Sequence, residues 1–435
     1  MKKSNYNTFF KVNEQEYVFN AMTCSCAKID NSFKKNLENV TTGQYVNSDL
    51  INNMRKSGVI VEDCFDELEY LKLKNFSGKF SSNRLGITIA PTMMCNFACP
   101  YCYENPQPLL MKDEVAEAIV RRVENAASSK QNVFITWFGG EPLLAQKIIW
   151  RLSEKMMKIC EKAGVKYSAL MVSNCYLAND EVIKNMVKYN IKKVQVTIDG
   201  TPEIHDARRK LKNSSEPTFY QIVKNTKKML DEGIKVNIRI NVDRTNLSHI
   251  ENLLPELKKY GLENSMVYLG KVTDSTEFTK NISDTCLDTP EYSHELIKWA
   301  SLLDKNGFST KEIVESLYPK ARRNFCLADS ANAFAVDGHG NMYKCWHDIG
   351  NSSKIVGNIL DKKMDTKIFQ DRYSILLKYQ LWNPFKFEKC IKCSILPICM
   401  GGCPSNGIQS SEPSCIYHKY NLVEILKFTV KQKTN

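Results

Sequence analysis

No apolar stretch in these 435 residues approaches the ~20 needed to span a bilayer, so no membrane partner is expected. The opening Met1-Lys2-Lys3-Ser4-Asn5-Tyr6-Asn7 leads into no apolar core segment, so no signal peptide is read. Both absences point to a cytoplasmic chain, where thiols stay reduced. In that compartment sixteen cysteines make a poor disulfide framework, and their clustered spacings favour metal. Massed positive charge is also missing. The net charge of +12 suits an anionic partner such as nucleic acid or an acidic peptide, but the lysines are spread along predicted helices. No basic recognition helix stands out, so no nucleic-acid partner is expected and a solvated surface is the simpler reading. Apolar and charged fractions are those of a globular protein, and the length predicts two or three domains.

What is present centres on Cys95-Asn96-Phe97-Ala98-Cys99-Pro100-Tyr101-Cys102, a C-x3-C-x2-C loop following the apolar run 85–90. Three thiolates on one loop can hold three irons of a [4Fe–4S] cube. The fourth iron is then open to a small molecule, as a catalytic zinc keeps an open position.

From residue 85 onward strand and helix patterns alternate. Strands are expected at 87–90, 133–137, 168–172, 194–198, 236–240 and 266–269, with helices at 112–128, 147–163, 180–189, 220–232 and 248–260. Ser248-His249-Ile250-Glu251 reads as a capping box. The expected class is α/β, with a partial (β/α)6 TIM-type barrel over residues 85–285 and ligands at the carboxyl ends of its strands. Those ends carry Gly139-Gly140-Glu141, Ser173-Asn174, Thr197, Arg209, Arg239 and Leu269.

Residues 1–84 read as a small α+β domain. A hairpin of 9–13 and 17–20 is followed by a strand near 24–29, helices 31–40 and 48–57 with Ser48 as N-cap, a strand at 59–61 and a linking helix 65–74. The Ser-, Gly- and Lys-rich stretch 77–83 marks the boundary. Cys24, Cys26, Cys64, Cys160 and Cys175 read as small core residues. In residues 286–435, Thr289-Pro290 opens a helix, and a hairpin of 334–336 and 342–344 presents Cys345. Seven cysteines follow the pattern C-x13-G-x4-C, a gap, C-x2-C-x5-C-x3-C and a last C: Cys326, Cys345, Cys390, Cys393, Cys399, Cys403 and Cys415, with Gly340 as the glycine. The residues alone leave a four-thiolate zinc site open as an alternative.

The C-x3-C-x2-C spacing, with Tyr101 before the third cysteine, resembles the signature of the radical S-adenosylmethionine (SAM) superfamily. The resemblance implies that Cys95, Cys99 and Cys102 hold a [4Fe–4S] cluster. It also implies that Tyr101, Gly139, Gly140, Glu141, Ser173, Asn174, Thr197, Arg209, Arg239 and Leu269 surround SAM, although Cys175 replaces a common glycine. The second cysteine group resembles the SPASM domain. That likeness implies two auxiliary clusters, a nearer one on Cys326, Cys345 and Cys403 and a farther one on Cys390, Cys393, Cys399 and Cys415. Three [4Fe–4S] clusters are thus expected. The front domain looks like the winged-helix RiPP recognition element, which implies that it holds a precursor's leader peptide by strand addition.

Enzymes of this type cleave SAM to methionine and a 5′-deoxyadenosyl radical, fed by a donor such as flavodoxin or ferredoxin. The radical then takes a hydrogen atom from the substrate. Anaerobic sulfatase maturases share the three-cluster plan, but carry an aspartate base directly after the G-x4-C cysteine, where this chain has Trp346. They also lack an 84-residue front domain. Both departures favour a ribosomal-peptide maturase that forms cysteine thioethers. Other crosslinking, epimerisation, sulfatase maturation and a non-catalytic peptide-binding role are the alternatives. His347 and Asp348 are the candidate proton acceptors. No cysteine lies between Cys326 and Cys345, so the nearer cluster is expected to keep an iron open for a substrate thiolate, with Cys286 as the rival ligand.

Overall fold

The computed structural model describes residues 1–361 and 366–434. At the front lie β1 (Lys2–Lys3), β2 (Asn7–Val12), β3 (Gln15–Asn20), β4 (Ser25–Ile29) and β5 (Ile60–Val61). Strands β2, β3 and β4 form an antiparallel sheet, while β1 pairs with β5. The β2–β3 turn places Asn13 in the left-handed region, which asparagine tolerates better than most residues. Helices Asn31–Thr42 and Ser48–Lys56 bury Leu37, Val40 and Met54 against Val18, Ile29 and Ile60. The second helix is capped by Asn47, whose side chain accepts from Asp49 N, and not by Ser48 as expected. Both residue types cap equally well, and adjacent candidates cannot be ranked by type alone. The linking helix spans Glu67–Lys79, beyond the expected end at 74. Its extra turn is held by tertiary contacts, among them Asn75 Nδ2 donating to Arg323 O at 2.6 Å.

Six parallel strands follow: β6 (Arg84–Ile89), β7 (Asn132–Trp137), β8 (Tyr167–Val172), β9 (Ile191–Thr197), β10 (Lys235–Val242) and β11 (Met266–Lys271). They lie side by side in chain order, the arrangement of a partial barrel. Crossover helices Asp113–Ser128, Gln146–Ala163, Asp180–Lys188 and Phe219–Asp231 cover the outer face. Leu85, Ile87, Ile135, Val194, Val196 and Ile238 are all fully buried there. The fifth crossover begins as a 3-10 turn, Leu247–Asn252, and becomes helical only over Leu253–Lys259. The expected capping box at Ser248 does not form, because buried Asn246 ties this turn down. Its Nδ2 donates to Asp199 O and Asn241 O, both at 2.9 Å.

One connection is not legible locally. The expected C-terminal hairpin exists as β12 (Ala333–Val336) and β13 (Asn341–Tyr343), followed by β14 (Gly357–Asn358). It joins the barrel sheet, with β12 pairing in parallel with β6 from Ala333↔Gly86 to Val336↔Ile89. The result is one nine-stranded, mostly parallel sheet in an α/β fold. Both the first cysteine loop and the hairpin leave this sheet at the same end. No helix among the described residues is long and apolar enough to cross a membrane.

Candidate active site

The cysteine loop emerges from β6 and is fastened on two sides. Glu141 N donates to Met94 O at 2.8 Å and Gly140 N to Thr92 O at 3.3 Å. From the other side Ala98 N donates to Lys210 O at 2.8 Å, and Lys212 N to Asn96 O at 2.7 Å. The closeness of the first contact explains the glycine pair. A Cβ on Gly139 would lie 2.3 Å from Thr92 O, and one on Gly140 2.4 Å from Met94 O. Gly139 also has φ +112°, open to glycine alone at little cost. The pair therefore admits the cysteine loop itself.

Cys95, Cys99 and Cys102 face a single cleft, also lined by Tyr101, Gly139, Gly140, Ser173, Asn174, Thr197, Arg209, Arg239 and His347. Two residues expected there lie elsewhere. Leu269 is buried beside a separate chamber, where its carbonyl accepts from Tyr292 OH at 2.6 Å. Glu141 is fully buried, with its oxygens engaged by Leu143 N (3.0 Å), Ser173 Oγ (2.8 Å) and Asn174 N (2.7 Å). It organises the loops that carry Ser173 and Asn174 and does not line the cleft.

Tyr103, Glu104, Phe138, Gln195, Asn241 and Lys271, which the motifs do not single out, also line the wall, together with Trp346. Each of these adjoins or lies within two residues of a singled-out motif residue, and that adjacency is the available signal. Tyr103 stacks on His347 with ring centres 4.0 Å apart, and Phe138 on Trp346 at 5.2 Å. These two stacks dock the C-terminal hairpin onto the barrel mouth. Burial and the neighbouring Glu141 push the Glu104 carboxyl up to about 8, and its Oε2 has no hydrogen-bond partner among the described residues.

Charge at the cleft floor is arranged around Tyr101. Its hydroxyl donates to Asp199 and accepts from Arg209 Nη1 at 2.8 Å, and the same guanidinium nitrogen lies 3.6 Å from Cys99 Sγ. Arg208 meets Asp243 through both terminal nitrogens, at 3.1 and 2.9 Å, with its guanidinium 4.9 Å from the Tyr101 ring centre. Buried Arg209 keeps Nε without a partner among the described residues. Burial pushes the Cys95 and Cys102 thiols up to about 12, so a bound metal must displace their protons. Three thiols on one cleft beside a cation fit a three-thiolate cluster. The polar Ser173, Asn174, Thr197 and Arg209 wall fits an amino acid moiety such as that of SAM.

The seven later cysteines fall into two groups. Cys390, Cys393, Cys399 and Cys415 line one cavity of about 100 Å³, closed by Ile395, Leu396 and Pro413. Gly401 also lines it, within Met400, Gly401 and Gly402, three consecutive left-handed residues. Here a Cβ on Gly402 would sit 1.5 Å from Ser414 O. Cys326, Cys345 and Cys403 are electrostatic neighbours of one another. Cys286 lies apart, beside Asp274, Asp243 and Lys271. Among the described residues no three Cys, His, Asp or Glu close on a single-ion centre, which zinc–thiolate bonds of ~2.3 Å would require. Of the candidate acceptors, His347 lines the cleft, pulled down to about 4 by burial and Arg239. Asp348 is buried away from it and accepts from Tyr379 OH at 2.6 Å.

Residues 89–257 match the sequence profile of the Radical SAM superfamily. A cysteine-type anaerobic sulfatase-maturating enzyme of Clostridium novyi is 24% identical over 72% of this chain and 85% of its own length. A serine-type anaerobic sulfatase-maturating enzyme of Bacteroides thetaiotaomicron is 22% identical over 72% and 80%. Among solved structures, native anSMEcpe with bound AdoMet and Kp18Cys peptide aligns with a TM-score of 0.63 and 21% identity, covering 81% of this chain and all of that one. Streptococcus suis SuiB bound to precursor peptide SuiA aligns with a TM-score of 0.54 and 14% identity, covering 96% and 98%. Placed on the parallel sheet and cysteine loop described above, the match shows that this chain carries a radical SAM domain.

Proposed function

We propose that this chain is a radical SAM peptide maturase that joins a cysteine sulfur to a carbon of a ribosomally made precursor peptide. The observation that carries this reading is the front domain. The likeness to SuiB leaves only 4% of the chain uncovered and so takes in most of residues 1–84, whereas that to anSMEcpe covers 81%. Trp346, stacked on Phe138 in the cleft wall, adds to it, since the resemblance to sulfatase maturases implies an aspartate at that position.

With SAM bound, a reduced [4Fe–4S] cluster on Cys95, Cys99 and Cys102 supplies a radical able to take a hydrogen atom from carbon. The chain's own residues hold and shield. Ser173, Asn174, Thr197 and Arg209 would bind the amino acid end of SAM, with Tyr101 at its adenine. The Tyr103–His347 and Phe138–Trp346 stacks narrow the mouth against water. His347, neutral at pH 7, can take a proton at a ring nitrogen. The later cysteines would hold two auxiliary clusters in the two groups described. A cytoplasmic setting, a leader-bearing precursor and a flavodoxin or ferredoxin donor belong to the same reading.

The named curated relatives favour a second reading, oxidation of a sulfatase cysteine or serine. Incubating the reduced, iron-loaded chain with SAM and a cysteine-containing precursor separates the two. We expect 5′-deoxyadenosine and a peptide lighter by two hydrogens with its sulfur retained. A peptide that has lost its sulfur and gained an aldehyde marks a sulfatase maturase. Absence of 5′-deoxyadenosine with every peptide sinks both. A related expectation concerns the group at Cys326, Cys345 and Cys403, where no cysteine lies between Cys326 and Cys345. Its absorption and EPR spectra should change on adding a cysteine peptide and not its serine analogue. Unchanged spectra in a productive complex remove the open-iron idea.

A further inference from the structure

Resting on the reading that Cys326, Cys345 and Cys403 hold a [4Fe–4S] cluster, we propose that Lys79 is its charge partner. By this means the front domain's exit helix helps to set the cluster's reduction potential.

Two lysines are buried beside the Cys326 loop. Lys79 is 2% exposed and donates to Trp382 O, while Lys344 is 4% exposed and donates to Ser330 O (2.6 Å) and Ala333 O (2.5 Å). The charged groups acting on both are Asp329 and Cys326. Asp329 Oδ2 is 3.9 Å from Lys79 Nζ, and its carboxylate already accepts from Asn324 Nδ2 (2.9 Å), Phe325 N (3.2 Å) and Cys326 N (3.1 Å). Burial pulls both amines down, Lys344 to about 8, so each needs negative charge close by to stay protonated, and Asp329 is the carboxylate acting on both. A buried ion without a counter-charge is strongly destabilising, so a plain core would not be built this way. Thiolates supply the missing charge. Three of them on a doubly positive core leave one net negative charge, which the surplus ammonium balances. Gaining an electron makes the cluster more negative, and a nearby cation favours that state and raises the potential.

Lys79 is placed there by the front domain. The last turn of helix Glu67–Lys79 is fixed to the Cys326 loop by Asn75 Nδ2 to Arg323 O (2.6 Å) and by Ala331 N to Lys79 O (2.7 Å). Its first turn is anchored in the front domain. Buried Glu67 accepts there from Ser4 Oγ (2.5 Å) and Asn5 N (2.9 Å), and Ser4 Oγ accepts from Asn20 Nδ2 (3.0 Å). One rigid helix thus runs from the front sheet to the cysteine loop.

The test is an EPR-monitored redox titration of the full, iron-loaded chain and its Lys79→Gln, Lys79→Arg and Cys345→Ala variants. Cys345→Ala identifies the signal of this cluster. If that variant loses neither iron nor any signal, the cluster reading fails, and the inference falls with it. With the signal assigned, Lys79→Gln should lower the reduced-to-oxidised ratio about tenfold at the wild-type midpoint, equivalent to ~59 mV for one electron. Lys79→Arg should keep it within about twofold, and the Cys95–Cys99–Cys102 signal should not move. An unshifted Lys79→Gln signal overturns the inference while the cluster reading stands. If Lys79→Gln fails to hold the cluster but Lys79→Arg holds it, the charge is required and the inference stands. Loss in both makes Lys79 a packing residue only.

Discussion

Replacing Gly140 by alanine should leave the sheet folded and cut SAM cleavage about 100-fold or more. The added Cβ would meet Met94 O at 2.4 Å, Met93 O at 2.7 Å and Met94 C at 2.7 Å, all of them main-chain atoms. No side chain can swing aside, and the hydrogen bond from Glu141 N to Met94 O resists separation of the two segments. The cysteine loop must therefore shift by roughly an ångström, and displacements of that size at a reacting centre cost about 10²-fold. The measurement is 5′-deoxyadenosine formation, with far-UV circular dichroism as the control for folding. A variant cleaving SAM at the wild-type rate would show that the loop does not depend on this contact.

Glu141→Gln should destabilise the chain by about 3 kcal/mol and lower SAM affinity only modestly. In the wild type the two carboxylate oxygens satisfy two N–H groups and one hydroxyl in a fully buried position. A glutamine turns one acceptor into an NH2 that faces donors. Hydrogen bonds to charged groups contribute about 1.5–3 kcal/mol each, and an unsatisfied buried donor costs a similar amount. Urea unfolding reads the first effect, and calorimetric titration of SAM the second. The opposite pattern, with stability intact and SAM binding abolished, would put the carboxylate on the cofactor and contradict its observed partners.

These variants mark where sequence reading succeeded and where it stopped. The six barrel strands were legible because short apolar or alternating runs sit between helical repeats: Leu85–Ile89 is buried throughout, and Tyr167–Val172 alternates buried with half-buried residues. Cysteine spacing located the cleft because all three thiols must leave one strand end together. Glu141 was legible as important but not in its role, since a buried organiser and a ligand contact share the same Gly-Gly-Glu pattern. Ser248 carried a good cap pattern that buried Asn246 overrode from two residues away. Lys79 left no trace in sequence, because the groups that account for its burial lie some 250 residues downstream. The pairing of β12 with β6 was hidden for the same reason. Local pattern names a hairpin, while its partner depends on the whole chain.

That pairing has a consequence for how the chain is made. The strand bearing the first cysteine loop receives its second neighbour only when residues 333–336 have been synthesised, about 250 residues later. At ribosomal rates of ~5–20 residues per second, one side of β6 stays bare for roughly 10–50 s. Throughout that interval an open strand edge, the feature most prone to pair with other chains, stands next to three unloaded thiols. Completion of the sheet and of the cleft wall thus share one late event, the arrival of the C-terminal hairpin with Trp346 and His347.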